Sequence, residues 1–137
     1  MSDILIHIEA GVQTLTINRV AKKNSLTPAM YATLAHALDH AAENADIRVT
    51  VLQGDLTVFC AGNDIEDFLQ RTPQSGESPA FVFLRAIAQH PKPLIAAVCG
   101  PAVHPKTVRK LSGSSRARVG IIAGTCAGTQ IVPQSLF

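Results

Sequence analysis

The sequence predicts an α/β fold in the order β-β-α-β-α-β, followed by an irregular tail. Three observations carry this reading. Apolar residues alternate with polar ones at Ile4, Ile6 and Ile8, and again at Leu15 and Ile17. From Met30 onward they recur at helical spacing. Beyond that, two short aliphatic runs, 48–53 and 94–98, flank a second helical pattern.

Each element follows from local chemistry. Residues 3–9 form a strand with Ile4, Ile6 and Ile8 on one face and Leu5, His7 and Glu9 on the other. Ala10-Gly11 turns the chain into a second strand, 12–18, completing a hairpin. Residues 19–25 are a basic, polar loop. Thr27-Pro28 opens a helix: the threonine can cap, and proline suits the first helical position because its missing N–H would be unpaired there anyway. Met30, Leu34, Ala37, Leu38, Ala41 and Ala42 give this helix an apolar stripe, and it ends near Asn44. A strand at 48–53 leads through Gly54-Asp55 to Val58-Phe59 and the turn 60–64, after which 65–70 begin a short helix. TPQSGESP (72–79) is a loop. Residues 81–90 form a helix stopped by Pro91 and Pro93, and 94–98 a buried strand running into Cys99-Gly100-Pro101. Periodicity fades after Val103, although 119–123 has the make-up of a short strand.

Composition narrows the class. With 47% hydrophobic and 16% charged residues the chain is core-forming rather than disordered, and its length suits one domain. No tryptophan, one tyrosine and five phenylalanines make the core largely aliphatic. No apolar run approaches the roughly 20 residues of a membrane span. The start, MSDILIHIE, has neither basic leader nor cleavage site, so a cytoplasmic protein is expected. Cys60, Cys99 and Cys126 are odd in number and lack CxxC spacing; they read as small buried apolar residues in a reduced compartment. All ten acidic residues lie at or before Glu77, while seven basic residues and no acidic one follow Ser78. The chain changes character part way along.

Most candidate sites reduce to bland readings. No G-x-S-x-G elbow, P-loop or GxGxxG is present. His36 and His40 sit four apart on the first helix, but no third ligand follows by spacing; they read as a solvated pair, and no metal is expected. The tail, with Lys106, Arg109, Lys110, Arg116 and Arg118, lacks interleaved aromatic residues, so no nucleic-acid partner is expected. The turn VFCAGNDI is the exception. Gly62 permits a sharp bend after the strand, and amides near a helix start can stabilise an oxyanion. Taken alone, an ordinary strand-to-helix turn explains it equally well.

Four pieces in order change that balance: TINR (16–19), AKKNSL (21–26), FCAGNDI (59–65) and KPLIAAVCGPAV (92–103). From about residue 3 to 103 the chain resembles the enoyl-CoA hydratase/isomerase (crotonase) family. The resemblance implies an incomplete superhelix of β-β-α units and an acyl-CoA thioester as substrate. Coenzyme A is then part of the substrate, and no separate cofactor is needed. It places Lys22 and Lys23 beside the CoA phosphates, and Ala61, Asp64 and Ile65 along the adenine and pantetheine path. The backbone N–H of Asn63 becomes one of two oxyanion donors.

The same resemblance exposes departures. Pro105 falls at the second donor position and has no N–H. Losing one such donor lowers turnover by roughly a hundredfold to a thousandfold. Val108 falls near the first acid/base position, and no Asp or Glu follows Glu77. Residues 1–103 are therefore expected to be the N-terminal portion of a crotonase-like domain, and 104–137 a basic tail, the product of an out-of-frame or misassembled 3′ end. The contacts of the family's homo-trimer or hexamer would be largely missing. The expectation is a hydratase/isomerase-family chain, inactive or nearly so; the alternative is a non-catalytic CoA-binding or oligomer-associating fragment.

Overall fold

A computed structural model describes residues 2–69, 76–102 and 119–123. Strands β1 (Ile4–Glu9) and β2 (Val12–Ile17) pair antiparallel around the two-residue turn Ala10-Gly11, with Ile4 opposite Ile17 and Glu9 opposite Val12. The alternation of β2 buries Gln13, Leu15 and Ile17 on one face.

Helix α1 (Pro28–Glu43) covers that face. Thr27 Oγ1 accepts the Met30 N–H at 3.3 Å, and Pro28 stands at the first helical position, as the sequence predicts. Met30, Leu34, Ala37, Leu38 and Ala41 are buried. Gln13 Nε2 reaches across from the sheet to the Ala37 carbonyl at 3.0 Å. The far end of α1 is closed by a distant side chain. Lys92 Nζ donates to the carbonyls of Ala41 and Asn44, both at 2.6 Å, and of Ile47 at 2.8 Å. An ammonium there satisfies carbonyls the helix terminus leaves open and opposes its negative end.

The chain continues through β3 (Val49–Gln53), α2 (Ile65–Leu69), α3 (Pro79–Gln89), β4 (Leu94–Val98) and β5 (Val119–Ala123). The sheet order is β1-β2-β3-β4-β5; every pairing after the hairpin is parallel, and α1 and α3 lie within the crossovers. Helix α3 begins two residues before the predicted start, because Pro79 can occupy the first helical position. Its Phe83 joins Ile4, Leu15, Ile17, Leu26, Leu34, Leu38 and Leu94 in a mostly aliphatic core.

The tail is described only at 119–123. There, the short strand anticipated from composition extends the sheet as β5, parallel to β4. His104, Pro105, Lys106 and Val108 lie outside the described residues. Along the edge strand β1, Ile6 and Ile8 are 48% and 46% exposed on one face and Leu5 is 45% exposed on the other. Among the described residues no helix is long and apolar enough to cross a membrane, and no cluster of three or more metal-ligating side chains occurs. His36 and His40 are both exposed; His40 Nε2 lies 3.3 Å from Asn44 Nδ2.

Candidate functional site

The site is built from two segments that are far apart in sequence, 19–26 and 59–66. In the first, Val20–Lys22 makes a single 3-10 turn, and Lys23 and Asn24 follow at φ 52° and 56°. Asparagine tolerates this left-handed conformation better than most residues. Asn24 is also fully buried. Its Oδ1 accepts the Arg19 N–H at 2.8 Å, and its Nδ2 donates to the carbonyls of Val58 and Phe59 at 3.1 and 3.2 Å. One side chain thus closes its own loop and fastens it to the second segment.

The second segment runs between two backbone partners. Ala61 N–H donates to the Lys23 carbonyl at 3.0 Å, Leu26 N–H to the Gly62 carbonyl at 2.8 Å, and Asp64 N–H to the Leu26 carbonyl at 3.0 Å. On the other side, Phe59 N–H donates to the Pro101 carbonyl at 3.1 Å, and Cys60 bridges to Ala102. Two glycines make this passage possible. Gly62 has φ 89°, which a side chain would strain. Gly100 has φ 68°, and a Cβ there would stand 2.4 Å from the Thr57 carbonyl oxygen.

The consequence falls on Asn63. Leu26 forms a parallel bridge with it by bonding the residues on either side, Gly62 and Asp64. Asn63's own N–H and C=O therefore point away from Leu26. Among the described residues this N–H meets no acceptor.

Asp64 is buried and faces inward. Its Oδ1 accepts the N–H groups of Glu66 and Asp67 at 3.0 and 3.4 Å, capping α2. Its Oδ2 meets Arg19 Nη1 at 2.5 Å and Ser25 Oγ at 3.3 Å. The Arg19 hydrogen bond, more than any other contact, holds this carboxyl below the usual aspartate range. Of the remaining predicted residues, Lys22 and Lys23 are exposed, Lys22 Nζ lies 3.3 Å from Glu66 Oε2, and Ile65 is 71% exposed at the start of α2. Ala61 is half-buried. All six predicted positions therefore fall in one region, with Asp64 engaged inside the protein and the two lysines at its rim.

Beside the turn lies a cavity of about 510 Å³, lined by Ile17, Leu26, Tyr31, Leu34, Leu52, Cys60, Asn63, Asp67, Phe81 and Phe83 among others. Its walls are chiefly apolar, with a few polar groups, the usual make-up of a small-molecule site. Tyr31 Oη donates to Asn63 Oδ1 at 2.5 Å. Burial pushes the Tyr31 phenol up. Burial likewise raises the Cys60 thiol, although its sulfur accepts the Gly62 N–H at 3.3 Å. Cys60 is the one free cysteine among the described residues. Cys99 is disulfide-bonded, so the reading of all three cysteines as small buried apolar residues fails for it.

A family model described as enoyl-CoA hydratase/isomerase matches residues 7–104, a span that includes both segments of this site. The chain belongs to the enoyl-CoA hydratase/isomerase family. It is 32% identical to 1,2-epoxyphenylacetyl-CoA isomerase of Escherichia coli (strain K12), over 98% of this chain and 58% of that protein. It is 34% identical to the peroxisomal enoyl-CoA delta isomerase 3 of Mus musculus, over 74% of this chain and 33% of the relative. Among solved structures, Pseudomonas aeruginosa OdaA superimposes with a TM-score of 0.70 at 43% identity, covering 74% of this chain and 41% of that one. The chain thus spans 58% or less of the length of these relatives.

Within this hydratase/isomerase chain, three structurally decisive residues carry no role in the sequence reading: Arg19, Asn24 and Tyr31. The first two stand inside the motifs TINR and AKKNSL, but their partners lie some 34 to 45 residues away. Tyr31 is the sole tyrosine, and its position next to Met30 in the apolar stripe hides its polar end.

Proposed function

We propose that this hydratase/isomerase-family chain binds an acyl-CoA thioester, with the Asn63 backbone N–H donating to the thioester oxygen. One observation supports this above the others: that N–H is turned away from Leu26 and meets no acceptor among the described residues, beside a largely apolar cavity. Hydration or double-bond migration in an enoyl thioester passes through an enolate-like state. A fixed amide at that oxygen acts where charge develops and needs no reorganisation as it does so. Lys22 and Lys23, exposed at the rim, suit the CoA phosphates as point charges, while Ala61 and Ile65 border the path between rim and cavity. In this reading Asp64 serves from within, by capping α2 and holding Arg19, rather than by touching CoA. Coenzyme A arrives as part of the substrate.

Turnover by the chain alone is proposed to be weak. Pro105 has no N–H to offer at the position the resemblance assigns to the second donor, and no carboxylate follows Glu77. Titration calorimetry with crotonyl-CoA, paired with a hydration assay, tests both halves. Binding with little or no hydration is expected, and Asn63→Pro, which deletes the donor, should weaken binding. No detectable heat at millimolar ligand would sink the binding reading; substantial hydration would sink the claim of weak turnover.

The exposed Leu5, Ile6 and Ile8 favour a second reading, in which the chain associates with full-length relatives. Co-elution with such a relative in size-exclusion chromatography is then expected, and separate elution at micromolar concentration would dismiss it.

A further inference from the structure

We propose that Tyr31 is a positioning residue for the Asn63 turn, acting through the Asn63 side chain to hold that residue's backbone N–H against the cavity. This rests on the reading of that N–H as the thioester donor. The two contacts on Asn63 do different things. Leu26, bonded on either side of it, sets which way the N–H points. The Tyr31 hydroxyl, 2.5 Å from Asn63 Oδ1, ties the same residue to α1 and so to the cavity wall.

The anchor itself is rigid. Tyr31 follows the buried Met30 on α1, and its ring lies 5.7 Å from that of Phe83 on α3, tilted by 47°. The phenol oxygen is thereby located by two helices of the core. Phenylalanine would fill the same space, so what tyrosine adds here is its oxygen, and that oxygen is spent on Asn63. The Asn63 side chain is otherwise exposed, with no other hydrogen bond among the described residues. Without the Tyr31 bond, residue 63 is held only through its neighbours Gly62 and Asp64. Donors aimed at a developing oxyanion act only when they are held at hydrogen-bonding distance from it.

The test follows the carbonyl itself. The full 137-residue chain is mixed with butyryl-CoA labelled with carbon-13 at the thioester carbonyl, and the carbonyl stretch is read by difference infrared spectroscopy. A lower frequency on binding is expected for the wild type. Tyr31→Phe should lose most of that shift while its Kd stays within about threefold of wild type. Asn63→Ala should lose as much, and the double variant no more than either single change, because the two act as one unit. A wild-type shift in Tyr31→Phe overturns the positioning role. Should that variant not fold, a full shift in Asn63→Ala overturns it equally. Bound butyryl-CoA with no shift in the wild type overturns the donor reading, and this proposal with it.

Discussion

Arg19 Nη1 stands 2.5 Å from Asp64 Oδ2 across 45 residues of sequence, and the same nitrogen also donates to the Ser25 carbonyl and hydroxyl at 3.1 and 3.0 Å. This pair fastens the 19–26 loop to the cap of α2, and the Gly62-Asn63 turn lies between the two.

The pair makes stability sensitive to acid. Arg19 holds the folded-state pKa of Asp64 below its unfolded value, so the unfolded chain takes up the proton more readily. The stabilisation is complete above the ordinary aspartate range, about 3.9, and is lost as pH falls from there through the folded value. The urea midpoint of the wild type should drop on acidification from about pH 5 to about pH 3. In Arg19→Met it should start lower and vary less with pH. Parallel curves for the two proteins would contradict this account.

Asn24→Ala should be among the most damaging single changes. It leaves the Val58 and Phe59 carbonyls and the Arg19 N–H without their partner, and puts alanine at φ 56°. The expected loss is about 2–4 kcal/mol by guanidinium denaturation. Asn24→Gly should regain about 1 kcal/mol of this, the part owed to the left-handed backbone. A Gly variant no more stable than the Ala variant would show that backbone conformation contributes nothing.

Lys92→Met keeps the aliphatic stem but removes the ammonium from three carbonyls at the end of α1. Charged hydrogen bonds of this kind suggest a loss of about 1.5–3 kcal/mol. Hydrogen exchange should locate it: amides in the last turn of α1, Ala42 and Glu43 among them, should exchange faster, while those of β2 follow only the global change. Uniform acceleration through the chain would argue against a local cap.

The elements that were legible in the sequence are those whose logic is local. The alternation at Leu15 and Ile17 and the stripe from Met30 to Ala41 each announce a face to be buried, and Thr27-Pro28 marks the helix start. The turn at Gly62 and Asn63 was legible from four ordered motifs. What stayed hidden is long-range pairing of polar groups. Asn24 reads as a loop residue until Val58 and Phe59 come within reach of it. Arg19 and Lys92 carry no role of their own in the sequence, although each donates to three acceptors in the fold. Asp64 reads as a residue facing the ligand path; its partners turn it inward.

The bridge between Leu26 and Asn63 has a final consequence. Since Leu26 takes the carbonyl of Gly62 and the N–H of Asp64, the outward-facing amide is chosen by odd-and-even counting along the ribbon and not by the letter written there. Any residue but proline at 63 would present an N–H in the same direction. Sliding the ribbon by one residue would instead turn that amide onto Leu26 and leave a neighbour's facing away from it. The direction of that amide is tolerant of substitution and intolerant of length: one codon gained or lost between the loop and the turn would reverse it, which no exchange of one side chain for another, proline apart, would do.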